Sequence, residues 1–477
     1  MVIYGINACS HDASISVIKN GEVLFAAHAE RYSKIKNDWY LNDDIIKAAL
    51  EYGKPDAIGY YEKPWLKKAR TSIFGGHSSS YSAVKERFPN SKIVNFKHHY
   101  SHACAGYYTS KFDDAAIVVL DAIGEFETTS IWTGNGENIK QVYSKSYPFS
   151  FGLFYSAFTE YIGLKPNEEE YIMMGMAAYG DPEIYFSQIN ALFPSINEQT
   201  ELFHYGVNGF SVTPTKRNKF HIAAAVQAVY EKRFIEFMRF AKKKTGKENL
   251  VFMGGCALNC SANTKLFDIY NQIWIMPNPG DAGSSLGAAA AVYGKHLNWQ
   301  GPYLGEDVGS EYPVDSIFKE LVDKKIAAVV SGRAEYGPRA LGNRSIFADP
   351  REASCKDLVN TVKGREMFRP FAPVIMEEHA SEWFEISRPS PYMQYAVKCK
   401  KPKLVPSVVH KDGTSRVQTV NREQHAGLYE LLKKWHKYSG VPILLNTSLN
   451  IKGQPLLNDL ADVEHWNSIH SDLRVCI

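Results

Sequence analysis

Apolar and polar positions change period several times along this chain, and the changes mark out its elements. In the opening stretch VIYGINACSHDASISVIKNGEVLFAAHAE, two β-rich runs meet at Lys19–Gly21, where Asn-Gly predicts a hairpin turn. The pattern returns in AAIVVLDAIGEFETTSIWTGNGENIKQVYS, as a strand reaching Asp121, a glycine turn at Gly124 and a second hairpin at Gly134–Glu137. From about Phe220 to Lys243 the period changes to 3.6. Ile222, Val226, Tyr230, Phe234, Phe237 and Met238 form a stripe that predicts one long helix packed on a core. The basic run KKKTGK that follows reads as the solvated end of that helix, where cations suit the dipole. Two strand-then-helix units come next, NLVFMGGCALNCSANTKL and QIWIMPNPGDAGSSLGAAAAVYG. Strand, hairpin, acidic or glycine turn and helix, seen in both halves, predict a divided α/β lobe of ATPase-like organisation.

The turn-rich segment Leu297–Asp307 interrupts this pattern, and a new unit begins with a short helix, a strand through Val330 and an Arg/Gly loop. A boundary near residue 310 is expected, dividing the chain into residues 1–309 and 310–477. A chain of 477 residues is too long for one ordinary core, which agrees with two domains. Composition narrows the class. Hydrophobic residues make up 45% and charged residues 22%, so a folded chain rather than extended disorder is expected. The formal charge of +3 builds no strong field for duplex nucleic acid or an anionic membrane. No apolar run reaches the length of a membrane span, and no leader pattern precedes the first strand. Seven scattered cysteines make no disulfide framework, and Cys256 and Cys260 read as small buried thiols. The expectation is a reduced, cytoplasmic protein.

The segment FKHHYSHACAGYY offers the first candidate chemistry. His98 and His102 lie four residues apart, one above the other on a helical face, while His99 points elsewhere. Asp121 and Asp281 are each expected at a strand end, where α/β folds place ligands. Together the four would make an N2O2 set for a borderline divalent ion, with positions left for a substrate. On spacing alone, Asp281 could equally be a helix cap and Asp121 a turn residue.

Along almost its whole length the chain resembles the O-carbamoyltransferases of the nodulation-protein and antibiotic-biosynthesis type. The matching segments run in order: GINACSHDASISVIKNG, HHYSHACAGYY, LDAIGE, FGLFYSAFTEYIG, MGMAAYGDP, GGCALNCSANTKL, NPGDAGSSLGAA, GRAEYGPRALGNRSIFADPR, FRPFAPV, DGTSRVQTV and PILLNTSLN. The resemblance implies an actin-like metal- and nucleotide-binding α/β domain followed by a YrdC-like α/β domain. It implies a metal held by His98, His102, Asp121 and Asp281, iron(II) before manganese(II) or zinc(II). It also implies that carbamoyl phosphate and ATP, the latter with Mg2+, are converted to carbamoyladenylate, whose carbamoyl group passes to an acceptor hydroxyl.

That chemistry brings polyanions together and needs fixed cations and planar donors. The second unit carries Arg333, Arg339 and Arg344 in the Arg/Gly loop, Lys363, Arg365 and Arg369 in KGREMFRPF, and Arg416 in DGTSR. Arg351 and Arg369 are the weakest of the arginines. By resemblance, Lys363 and Arg365, with Ser448 and Asn450 of NTSLN, bind the phosphates and the carboxy-type substrate. In the first unit the resemblance places a nucleotide at Gly254, Gly255 and Asn259. It makes His11 the base for the acceptor, with Asp12 and Lys36 at the same mouth. Ile172 stands where many relatives carry lysine, and His221 where they often carry aspartate, which would alter the acceptor. The acceptor is a hydroxylated small molecule such as a sugar or natural product, with a hydroxymethylated nucleotide or DNA base as the other option. A homodimer is compatible with the sequence. The rival readings are a non-catalytic nucleotide-binding module and a tRNA threonylcarbamoyl-adenosine-type enzyme.

Overall fold

The computed structural model describes residues 1–9, 11–74 and 81–477. Two compact units divide the chain. The first comprises Met1–Phe25 and Trp39–Trp299, the second Ala26–Asp38 and Gln300–Ile477. The division thus falls at Gln300, and the segment Ala26–Asp38 belongs to the C-terminal unit although it lies far away in sequence. The strand Glu22–His28 runs across the division without a turn, so no punctuation marks it in the sequence.

The first unit is α/β and internally duplicated. One five-stranded sheet is built around Val2–Asn7, which pairs antiparallel with Ser14–Lys19 and parallel with Ala57–Tyr60. The other is built around Asp114–Gly124, antiparallel to Glu127–Asn135 and parallel to Asn249–Met253. Each has its antiparallel strands on one side of the central strand and its parallel strands on the other, which is the actin-like duplicated topology the resemblance implies. Both central strands are buried along nearly their whole length, as continuous apolar runs require. Both hairpins form where expected, with Asn20 and Gly21 at φ of 54° and 88°.

The helix His98–Thr109 is buried on nearly every side, and the helix Ser284–Tyr293 lies against it. Their approach depends on Gly287, where a Cβ would stand 1.8 Å from the Ser101 carbonyl oxygen. The expected long helix spans Asn218–Thr245 and ends at Gly246 in the left-handed region, with Lys242, Lys243 and Lys244 in its last turn. Asp281 departs from expectation. The strand before it is only Gln272–Trp274, and Asp281 opens a 3-10 turn several residues later without capping it by its side chain. The Pro-Asn-Pro sequence between them cannot sustain a ladder.

The second unit is also α/β. Its mixed sheet has seven strands, with Ile443–Ser448 between Ala372–Met376 and Arg344–Ala348. Leu444, Phe347 and Trp435 of the helix Ala426–Ser439 share its core. No helix among the described residues is long and apolar enough to cross a membrane.

Candidate metal centre and anion site

Three elements of the first unit bring His98, His102, Asp121 and Asp281 together: the helix His98–Thr109, the strand Asp114–Gly124 and the turn Asp281–Gly283. One ligand atom from each lies within 4.8 Å of all the others. The two Nε2 atoms are 3.0 Å apart. His98 Nε2 lies 2.9 Å from Asp121 Oδ2 and 3.4 Å from Asp281 Oδ1. His102 Nε2 lies 3.6 Å and 3.3 Å from the same two oxygens. Ligand bonds of about 2.0–2.1 Å to one ion place adjacent donors about 3.0–3.4 Å apart, so the set fits a divalent cation. The imidazoles are buried, whereas 21% of the Asp281 side chain is exposed, so the cluster opens on its carboxylate side.

Electrostatics point the same way. Burial alone would lower the pKa of His98 and raise that of Asp121, yet both shifts run in the opposite direction. The two carboxylates lift His98 well above its ordinary value, and the two imidazoles hold Asp121 well below its own. Such a cluster needs positive charge, which protons or a metal ion can supply. His99 faces away, with Nδ1 2.8 Å from Ser130 Oγ, and burial keeps it neutral.

Local packing explains how these side chains are aimed. Asp121 sits where the pairing of its strand slips between Leu120 and Gly124, so the chain turns its carboxylate toward the helix. Gly124 leaves room for His98, since a Cβ there would come 2.2 Å from the ring. Glu125, with φ of 51°, is buried, accepts the Lys63 amide at 2.6 Å and takes a second bond from the His98 backbone amide. Glu125 was absent from the expected site. The signal was present, because the first amides of a buried helix need an acceptor and its own residues supply none.

The glycine turn is joined to the same centre. The Gly255 amide donates to Asp121 Oδ1 at 3.3 Å, and Gly254 at φ of 92° passes the Leu120 carbonyl too closely for any side chain. Asn259 caps the next helix through Ala262 and exchanges amide bonds with Gln227. His11 and Asp12 pair at 2.9 Å on a loop where Asp12 is also left-handed. Burial lowers the His11 pKa, but the hydrogen bond and charge of Asp12, with Asp281 and Glu168 adding, bring it up to about 9. Lys36 lies in Ala26–Asp38, within the second unit. His221 Nδ1 accepts the Asp181 amide at 2.9 Å, and Ile172 is buried, so both departures from the family pattern have local packing roles. Neither Cys256 nor Cys260 is in a disulfide, and burial raises Cys256 to about 12.

The second unit gathers Lys363, Ser448 and Asn450 at one point. Lys363 Nζ donates to the Ser448 carbonyl, to Ser448 Oγ at 3.1 Å, and to the carbonyl and Oδ1 of Asn450 at 3.0 and 2.7 Å. Burial drives its pKa well down, and the charges of Arg365 and Arg369 push the same way. Arg365 is braced by Asn360 Oδ1 at 2.7 Å and lies 4.2 Å from the centre of the Phe371 ring. This cluster needs negative charge.

The other arginines divide. Arg344 is fully buried, and its guanidinium donates to the carbonyls of Asn458, Ser331, Asn343, Glu306 and Gly332. It is committed to the fold. Arg333 donates to Gly305 and Leu304 while remaining partly exposed. Arg339 is partly exposed in its loop, and Arg416 stands partly exposed on the strand Thr414–Val420. Arg351 is held by Asp349 and packs on Trp435. Glu335, another residue absent from the expected set, shapes the loop. Its Oε1 accepts the amides of Leu341 and Asn343 at 2.7 and 2.9 Å.

Residues 61–290 match the family described as Carbamoyltransferase N-terminus, and residues 318–473 match Carbamoyltransferase C-terminus. The chain is 32% identical to Nodulation protein NolNO of Sinorhizobium fredii, over 96% of its own length and 76% of that protein. It is 34% identical to Nodulation protein NolO of Bradyrhizobium diazoefficiens, covering 76% of this chain and 74% of that one. With Nodulation protein U of Rhizobium tropici the identity is 28%, over 98% and 94%. The chain belongs to the carbamoyltransferase family and is an enzyme of that class.

Proposed function

We propose that this chain makes carbamoyladenylate in its second unit and transfers the carbamoyl group to an acceptor hydroxyl in its first. In the first step water releases phosphate from carbamoyl phosphate, and an oxygen of the resulting carbamate displaces pyrophosphate from the α-phosphorus of ATP. Lys363, with Arg365 and Arg369 behind it, offers the positive charge that the two polyanions require, and Ser448 Oγ and Asn450 Oδ1 accept from its ammonium and hold it in place. In the second step the acceptor oxygen bonds to the carbamoyl carbon and AMP leaves.

His98, His102, Asp121 and Asp281 would hold a divalent ion, iron(II) in our reading, with manganese(II) or zinc(II) able to replace it. Such an ion supplies Lewis acidity toward an oxygen that gains charge during transfer. The acceptor proton goes to the His11–Asp12 pair. Only the neutral form of His11 can take that proton, and because Asp12, then Asp281 and Glu168, raise its pKa to about 9, transfer should quicken as pH rises toward that value. The acceptor is a hydroxylated small molecule such as a sugar.

The observation that carries this reading is that two buried clusters have opposite electrostatic needs, one for a cation and one for an anion. The test is carbamoyl-phosphate-dependent release of pyrophosphate from ATP. Release that requires both substrates is expected, and its absence with both substrates and Mg2+ present would refute the reading.

A further inference from the structure

Asn7 is fully buried at the end of the strand Val2–Asn7, and its side chain reaches two functional segments at once. Its Nδ2 donates to the Asp281 carbonyl at 2.8 Å, to the Asp12 carbonyl at 3.1 Å and to the His11 carbonyl at 3.4 Å. Its Oδ1 has no hydrogen-bond partner among the described residues. Three acceptors on one side fix the orientation of the amide, because a reversed group would set its oxygen against three carbonyl oxygens. A buried amide that leaves its own oxygen unpaired to serve three carbonyls is costly for packing alone.

Further back along the same hairpin, other contacts reach the same turn. Ser14 Oγ donates to the Ala282 carbonyl at 2.6 Å, and Ser16 Oγ lies 2.9 Å from Ser285 Oγ. Gly5 runs against the helix Ser284–Tyr293 that follows the turn so closely that a Cβ would stand 1.8 Å from the Ser285 carbonyl oxygen. These contacts press the hairpin onto the turn. Asn7 alone among them also holds the loop that carries His11 and Asp12.

We infer that Asn7 is a positioning residue that keeps the His11–Asp12 loop in register with Asp281 of the metal centre. The consequence for catalysis rests on the proposed function, in which the acceptor's base and the ion act on one transfer. A misplacement of about 1 Å between such groups is enough to cost about 100-fold in rate.

Two variants separate donation from packing. Asn7→Leu keeps the volume and removes the donors, whereas Asn7→Ser keeps a donor and loses volume. The full chain is titrated with cobalt(II) alone, followed by its visible absorption, and pyrophosphate release from ATP and carbamoyl phosphate is measured on the same samples. Asn7→Leu is expected to weaken cobalt binding about 10-fold, as loss of a group that orients a ligand does. Asn7→Ser should stay within about 3-fold of the parent, about 0.7 kcal/mol or less. Both variants should release pyrophosphate at the parent rate. Packing alone predicts the reverse order, and that order overturns the inference, as does parent-like binding by Asn7→Leu. Should Asn7→Leu fail to fold, Asn7→Ser still decides, because binding more than about 3-fold weaker than the parent's overturns the inference. A parent chain that binds cobalt but releases no pyrophosphate would sink the proposed function and leave the ranking of the variants standing.

Discussion

The two units bury charge in opposite senses. In the first, two carboxylates face two imidazoles whose ring nitrogens are 3.0 Å apart, and the carboxylates raise His98 while the imidazoles hold Asp121 down, so the cluster draws and keeps positive charge. In the second, Lys363 is buried beside Arg365 and Arg369, and its neighbours are neutral oxygens. Arg344 lies in that same unit and is buried more completely, yet five backbone carbonyls absorb its charge. The lesson concerns what buried charge is for. Both cations have neutral oxygen acceptors, but acidic side chains, Glu335 foremost, act on Arg344, whereas the charges acting on Lys363 are those of Arg365 and Arg369. The cation set among like charges is the one ready for a ligand.

This contrast can be broken experimentally. The largest effect is expected from Arg344→Met, which strands several buried carbonyls at once. At about 1–3 kcal/mol for each buried group left unpaired, the cost should exceed about 3 kcal/mol in denaturant unfolding. Arg365→Met, by contrast, loses one ring contact and leaves Asn360 Oδ1 without its guanidinium donor, so it should cost less stability than Arg344→Met while raising the KM for carbamoyl phosphate. Equal losses of stability in the two variants would erase the distinction between them.

Within the first unit, Asp121→Asn should lower cobalt(II) affinity more than about 100-fold, beyond what loss of an outer group costs. Glu125→Gln removes one of the oxygens that hold the His98 and Lys63 amides and should cost about 10-fold in the same titration. A last effect is a pH dependence in the second unit. His410 and His425 are both lowered from 6.5 to about 4, burial being the main cause. Between those values the unfolded chain takes up protons that the folded chain refuses, so stability should fall as pH drops from 6.5 toward 4. His425 Nδ1 accepts the Leu428 amide at 3.0 Å, so His425→Asn should flatten that slope at some cost to the helix start. An unchanged slope would contradict the assignment.

How much of this was legible depended on whether the cause was local. The Asn20–Gly21 turn and the helix closed by Gly246 follow from neighbouring residues, and both were readable. The stacking of His98 and His102 is equally local. Their meeting with Asp121 and Asp281 is not, since it depends on a slipped strand pair and on a turn set off from its strand. Family resemblance pointed to that meeting where spacing could not. The transfer of Ala26–Asp38 to the second unit was illegible because the strand Glu22–His28 continues through the division. The commitment of Arg344 was illegible as well, because its acceptors are backbone carbonyls, which leave no mark in a sequence. Glu125 and Glu335 were missed for a related reason, as both serve backbone amides.

The most direct test of a divided reaction uses one preparation of the whole chain, before and after removal of bound metal by a chelator, with Mg2+ restored for ATP. Pyrophosphate release and carbamoyl gain on a panel of sugar acceptors are measured side by side. The account predicts that chelation leaves pyrophosphate release intact and stops carbamoyl gain, with iron(II) restoring it. Carbamoyl gain that survives complete removal of the metal, or pyrophosphate release that is lost with it, would contradict the account.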